Sequence, residues 1–374
     1  MFQGDLSRKA EVVRRNCFTA AGLFLLLVWP VSLYAQSLRE RADRAGLLIG
    51  TAARPEQLSD QPYALILGRE FNLLEPEDAM KWWVVRPDRE TFIFGPADRL
   101  VDFAAAHAMK VHGHTLVWGR SNPAWLTDSH FAVSDLSDLL REHITTVVEH
   151  FRGKVFAWDV VNEAFDEKGA LRPSIWYDQP GIGFAGQSTR YIEQAFPWAH
   201  LADPSALFFY NDAEGEAVNR KSDAIYAMVK DFRRRGVPID GVGLQMHIFN
   251  LNPDVDGIER NITRFVALGV QVHITEMDVA LATDAGGNVR DPQDLARQAE
   301  IYRQIATVNR KHPGCTAIQT WGFTDKYSWI HSTTKGSKGA ALPFDRQYTP
   351  KPAYTGLSEA LAAPTAVSTP LRTQ

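Results

Sequence analysis

The 374-residue sequence predicts an α/β fold: a single (β/α)8 TIM barrel preceded by an N-terminal signal segment. Three observations carry this. Strand-like apolar runs alternate with helical ones eight times, which argues for a parallel sheet, and eight units argue for closure into a barrel. No Pro/Ser-rich linker divides the chain. The polar residues that interrupt the strand-like runs fall at their C-terminal ends, the face on which parallel barrels keep their chemistry.

In order, residues 37–46 form a short helix stopped by Gly46. Residues 47–52 form the first strand, 63–70 a helix, and 71–75 the second strand, followed by the Met80-Lys81-Trp82 element. An amphipathic helix over 98–109 leads to the third strand, 110–118. The helix over 135–151 precedes the fourth strand, 155–161. That run is β-branched and aromatic, too short for a helix, and stops on Asn162 and Glu163. A helix over 188–202 ends before Asp203-Pro204, and 206–212 is the fifth strand. The helix over 217–235 ends on three arginines, the end that a helix dipole favours for cations. The sixth strand covers 241–247, and a helix follows over 256–268. The seventh strand starts at Val270 and ends at Glu276. A helix over 292–311, the eighth strand over 317–323 and a helix over 357–361 complete the barrel. Two carboxylates on two strand ends, Glu163 and Glu276, suit acid/base work on a glycosidic bond.

Composition narrows the class. Hydrophobic content of 45% and charged content of 22% are globular, and a net charge of −4 offers no basic field for nucleic acid. Ten Trp fit a carbohydrate-stacking cleft. Lys9, Arg14 and Arg15 precede an apolar run from Phe18 to Tyr34, so residues 1–36 read as a signal peptide, or as a signal anchor if uncleaved. The chain is therefore expected to be exported, periplasmic or extracellular, with no other membrane partner. Residues 37–362 form the catalytic domain and 363–374 an expected disordered tail. Cys315 is the one cysteine beyond the signal segment, so no intramolecular disulfide is expected there, and its place before an apolar strand predicts a buried thiol.

The chain resembles glycoside hydrolase family 10, the endo-β-1,4-xylanase family, over most of residues 40–360. The resemblance is carried by His114-Thr-Leu-Val-Trp118, Trp158-Asp-Val-Val-Asn-Glu163, Tyr210-Asn-Asp212, Gly243-Leu-Gln-Met-His247, Ile274-Thr-Glu-Met-Asp278, Trp321-Gly-Phe-Thr-Asp-Lys-Tyr-Ser-Trp329 and Lys351-Pro-Ala-Tyr354. It implies a retaining double displacement on xylan, with Glu276 as nucleophile and Glu163 as acid/base, carboxyl groups ~5–5.5 Å apart. His247 is the expected donor to Glu276. Asp278, two residues on and facing the same side, would orient that His. Gln245 would support the nucleophile side, and Asn162 would donate to the sugar 2-OH. Lys81, Asp78 and His114 occupy sugar-binding positions, and Trp118, Trp321 and Trp329 would wall the cleft. No metal and no cofactor are expected. His112 and His114 form an H-x-H pair, but no further ligand set stands at matching strand ends, so His112 reads as core. His273 is expected to point outward to the helix layer.

The sequence departs from the family pattern near the sugar site. Asp78 replaces an amide, Gly119-Arg120-Ser121 replaces His-Ser-Gln, and Ala213-Glu-Gly-Glu216 replaces aromatic and amide residues. Ser121 and Asp78 are expected to relax discrimination against glucosyl units. The alternatives to a xylanase are a retaining β-glycosidase or transglycosylase of shifted specificity, a non-catalytic carbohydrate-binding protein, and a metal-dependent hydrolase. The expected partner is a xylan-type polysaccharide or oligosaccharide, and the expected state is a monomer.

Overall fold

The computed structural model describes residues 36–178 and 181–363. Residues 1–35 of the predicted signal segment and the predicted tail from residue 364 lie outside the described residues. The barrel strands are β1 (Leu48–Ala53), β2 (Leu73–Pro76), β3 (Lys110–Gly113), β4 (Ala157–Asn162), β5 (Leu207–Asp212), β6 (Gly241–Leu244), β7 (Gln271–Val279) and β8 (Cys315–Thr320). Each pairs in parallel with its neighbour in sequence, and β8 pairs with β1 through Thr320↔Thr51, which closes the barrel. Closure leaves no free edge.

The main helices are α1 (Leu38–Ala45), α2 (Gln61–Glu70), α3 (Gly95–Ala106), α4 (Val133–His150), α5 (Arg190–Ala202), α6 (Arg220–Arg235), α7 (Val255–Ala267), α8 (Asp294–Lys311) and α9 (Pro352–Ala362). Local chemistry fixes their ends. Ser37 and Glu40 form a reciprocal capping box on α1, which ends on Gly46 at φ 68°. Asn219 and Ser222 do the same for α6, which carries Arg233, Arg234 and Arg235 in its last turn and stops at Gly236. The α8 and α9 helices lie close because Gly356 has no side chain: a Cβ there would sit 2.2 Å from the Ala299 carbonyl oxygen. Among the described residues no helix is long and apolar enough to cross a membrane.

Two predicted strands are interrupted. The third leaves the ladder after Gly113, passes a cis His114–Thr115 peptide, and rejoins at Val117–Trp118 beside Val161 and Asn162. The Leu116 amide and the Thr115 hydroxyl both donate to the Asp159 carbonyl, so the gap stays hydrogen-bonded. The sixth stops at Leu244, turns through Met246 at φ 68°, and resumes at His247–Ile248 beside Asp278 and Val279.

The barrel interior is polar. Asp159 of β4 accepts from His112 of β3 at 3.0 Å, and Gln319 of β8 reaches the other nitrogen of that ring at 3.1 Å. His112 is thus a buried core residue. His273 corrects the expectation of an outward side chain: it packs in the lumen, 4.2 Å from the Phe209 ring and 5.4 Å from that of His112. Strict alternation from Glu276 would send it outward. The β7–β8 register, however, moves from Ile274↔Ile318 to Met277↔Thr320, three residues against two. This bulge inverts the parity of β7, so His273 and Glu276 both face inward. Cys315 is buried as expected, and burial pushes its thiol pKa up.

Candidate active site

Glu276 lies where the β7 bulge ends and is nearly buried. Its Oε1 accepts from Asn211 Nδ2 at 2.7 Å, and its Oε2 from His247 Nε2 at 3.2 Å. The other ring nitrogen of His247 donates to Asp278 Oδ2 at 3.0 Å, an oxygen that also receives Trp329 Nε1 at 2.9 Å. Burial disfavours charge on His247, but Asp278 and then Glu276 outweigh it and raise its pKa well above the ordinary value. Burial likewise pushes the Glu276 carboxyl up. The His247 hydrogen bond, with the fields of His114 and His247 and the Asn211 contact, overcomes this and holds Glu276 below its usual range. Glu276 is therefore an ionised carboxylate held by a cationic imidazole.

Glu163 stands just beyond β4 with φ 52°, an uncommon conformation for a residue with a side chain. Its amide donates to the Asn211 carbonyl, and the next amide, of Ala164, donates to the Tyr210 hydroxyl. Gln245 Nε2 reaches Glu163 Oε1 and Asn162 Oδ1, both at 3.2 Å. This corrects the expectation that the Gln245 side chain supports the nucleophile side. The turn at Met246 ends β6 early and aims that amide across toward β4. Only the Gln245 backbone carbonyl meets Glu276, accepting from its amide. Asn162 Oδ1 also receives Asn211 Nδ2 at 3.1 Å. With its oxygen occupied twice, the Asn162 amide nitrogen is the group left to donate.

Glu163 and Glu276 line one cleft of about 470 Å³ with Asp78, Lys81, His114, Trp118, Trp321 and Trp329. Lys81 Nζ donates to Asp78 Oδ1 at 2.9 Å and lies 5.2 and 5.7 Å from the Trp118 and Trp321 rings. Asp78 also faces Arg54 at 3.2 Å, so two cations hold it. Ser121 is buried and stands outside the cleft lining, its hydroxyl without a protein partner.

His114 donates to the second oxygen of Asp159 at 2.9 Å. Burial alone would raise the Asp159 carboxyl; His112 and His114 hold it well below the usual range. Glu75, at the end of β2, is fully buried, and burial with the charges of Asp159 and Glu276 drives its pKa well up. Glu75, His114 and Glu276 offer three ligand atoms within 4.8 Å of one another, the residues here that could approach one cation.

Sequence reasoning gave no role to Asn211, Glu75, Arg54 or Phe249. Glu75 ends a predicted strand as Glu163 and Glu276 do, so the same signal could have found it. Asn211 stood inside a quoted motif. Arg54 and Phe249 reach the cleft from loops, and no periodicity marks them.

A cleft at the C-terminal mouth of a closed parallel barrel, with carboxyl groups presented by its fourth and seventh strands, is the site of a glycoside hydrolase. The model of the family described as glycosyl hydrolase family 10 matches residues 37–360, and the chain belongs to that family. It is 44% identical over 343 residues to endo-1,4-beta-xylanase B of Thermotoga neapolitana, covering 90% of this chain and 96% of that protein. Beta-1,4-xylanase of Dictyoglomus thermophilum is 40% identical over 300 residues, 78% of this chain and 82% of that one. Among solved structures, xylanase 10B of Thermotoga petrophila RKU-1 in complex with xylobiose superposes with a TM-score of 0.82 at 43% identity. That match covers 87% of this chain and 97% of the other.

Proposed function

We propose that this protein is a retaining endo-1,4-β-xylanase in which Glu276 is the nucleophile and Glu163 the acid/base. The observation that carries the assignment is the asymmetry of the two carboxyls. Glu276 is fixed between Asn211 and the His247–Asp278 pair as an anion, whereas Glu163 is, among the described residues, hydrogen-bonded only by the neutral amide of Gln245 and faces the exposed Arg120 guanidinium at 3.5 Å. In the first step Glu163 gives its proton to the glycosidic oxygen while Glu276 attacks the anomeric carbon and forms a glycosyl ester. In the second step Glu163 takes a proton from water, which displaces the ester. Esterification removes the negative charge from Glu276, so Glu163 can stand ionised beside it and serve as the base of the second step.

Asn162 Nδ2 donates to the sugar 2-OH, a contact that strengthens as the transition state forms. Lys81 and His114 bind sugar hydroxyls, Asp78 positions Lys81, and Trp118, Trp321 and Trp329 pack on sugar faces. Gln245 orients Glu163. The xylan substrate is supported by the family and by the relatives that carry the xylanase name. The proposed enzyme is a monomer, whose cleft is built without residues of a second chain. The cationic and apolar pattern of residues 1–36 supports export.

The test compares aryl β-xylobioside with aryl β-cellobioside on purified protein, with Glu276→Ala as control. Strong preference for the xylobioside, lost in the control, is the expected result. Equal or reversed preference would overturn the substrate, and turnover surviving in the control would overturn the assignment of Glu276.

A further inference from the structure

Three carboxyls surround His114: Asp159, Glu276 and Glu75. Two of them are supplied with donors. Asp159 receives His112 and His114 at 3.0 and 2.9 Å, and Glu276 receives Asn211 and His247 at 2.7 and 3.2 Å. Glu75 is the exception. It is fully buried near the end of β2 and stays outside the cleft lining. Among the described residues, neither of its oxygens has a hydrogen-bond partner. His114 Nδ1 comes within 3.5 Å of Glu75 Oε1, but the proton on that nitrogen goes to Asp159.

A carboxylate taken out of water, given no donor and set beside two other carboxylates has nothing to offset its lost hydration. Such a group keeps its proton. The groups that face Glu75 point the same way. Asp159 on β4 and Glu276 on β7 oppose its ionisation, and burial opposes it more than either. Lys81 favours it, yet Lys81 gives a proton to Asp78. His114 is held by Asp159. Gln319 on β8 lies close to Glu75, and its amide nitrogen reaches His112. Its Oε1 is likewise buried with no partner among the described residues. One proton on Glu75 reconciles these neighbouring acceptors, because it supplies the donor that both lack.

We propose that Glu75 is a positioning residue that works as a neutral carboxylic acid: it fills the floor beneath the nucleophile with a hydrogen-bond donor and no charge. Glu276 is thereby left free to ionise, and His114 stays on Asp159. The proposal rests on the reading of Glu276 as nucleophile and deepens it. A charged Glu75 would act on Glu276 as a like charge, raise its pKa, and compete with Asp159 for the His114 proton.

The experiment compares the native enzyme with Glu75→Gln and Glu75→Leu, by infrared difference spectroscopy at neutral pH and by the pH profile of kcat/KM on aryl β-xylobioside. The native spectrum minus that of Glu75→Gln is expected to contain the carbonyl band of a protonated carboxyl. Carboxylate bands in its place would overturn the proposal. Gln matches the neutral acid in size and keeps a donor, so the acid limb is expected to stay in place, with kcat/KM lowered about twofold. A limb moved to lower pH would also overturn the proposal, because it would mean that a like charge beside Glu276 had been removed. Glu75→Leu keeps the neutrality and loses the donor; kcat/KM is expected to fall about tenfold with the acid limb unmoved. Turnover by the Leu variant equal to that of the Gln variant would overturn the donor role. If the Leu variant does not fold, the infrared band and the Gln profile still decide. Turnover surviving in Glu276→Ala would overturn the nucleophile reading, whereas the infrared band judges the state of Glu75 without any turnover.

Discussion

The state of the Glu276 carboxylate depends on one imidazole. His247 touches Glu276 on one side and Asp278 on the other, and its raised pKa keeps it cationic. Replacing His247 with Asn removes the largest influence that opposes burial at Glu276. The Glu276 pKa must then rise, so less of it is ionised at a given acidic pH. The acid limb of the kcat/KM profile is expected to move to higher pH, with a loss at the optimum of about 10- to 100-fold. An unmoved limb would show that His247 does not control the nucleophile. At this scale the sequence was legible for the residues on strands: Glu163, Glu276, His247 and Asp278 stand where strand ends placed them. It was less legible where a turn redirects a side chain. Gln245 shares its strand with His247, yet the turn at Met246 sends its amide to Glu163.

Strands and helices were readable to within a few residues, and their irregularities were not. The bulge in β7 adds one residue against β8, and no pattern of apolar residues announces it. Its effect is local but decisive, since it turns His273 inward and sets the direction of Glu276. The breaks after Gly113 and Leu244 escaped because the quoted motifs, His114-Thr-Leu-Val-Trp118 and Gly243-Leu-Gln-Met-His247, run straight through them while the backbone leaves the ladder. The closeness of α8 and α9 is the opposite case, a packing constraint carried by one residue. Gly356→Ala would press a methyl group into the Ala299 carbonyl and force the helices apart. The expected cost is about 1–3 kcal/mol, read as a lower denaturant midpoint with little change in slope. A neutral result would show that the helices slide freely there.

For the whole molecule, eight strand–helix units were countable from the sequence, and the family motifs placed them in order. The polar lumen was not. A barrel is expected to fill with branched apolar side chains; here His112, Asp159, His273 and Gln319 occupy it beneath the cleft. The network links floor to site, because Asp159 holds His112 below and His114 above. Replacing Asp159 with Ala leaves two buried imidazoles without their shared carboxylate, and is expected to cost about 3–5 kcal/mol in denaturant unfolding.

The central claim is that one carboxylate of this barrel becomes covalently glycosylated. A 2-deoxy-2-fluoro-β-xylobioside with a good leaving group slows the second step and should trap that ester. Digestion and mass spectrometry of the inactivated enzyme are expected to find a single glycosyl group on the peptide containing Glu276. A label on another residue, or hydrolysis with inversion and no adduct, would contradict the account.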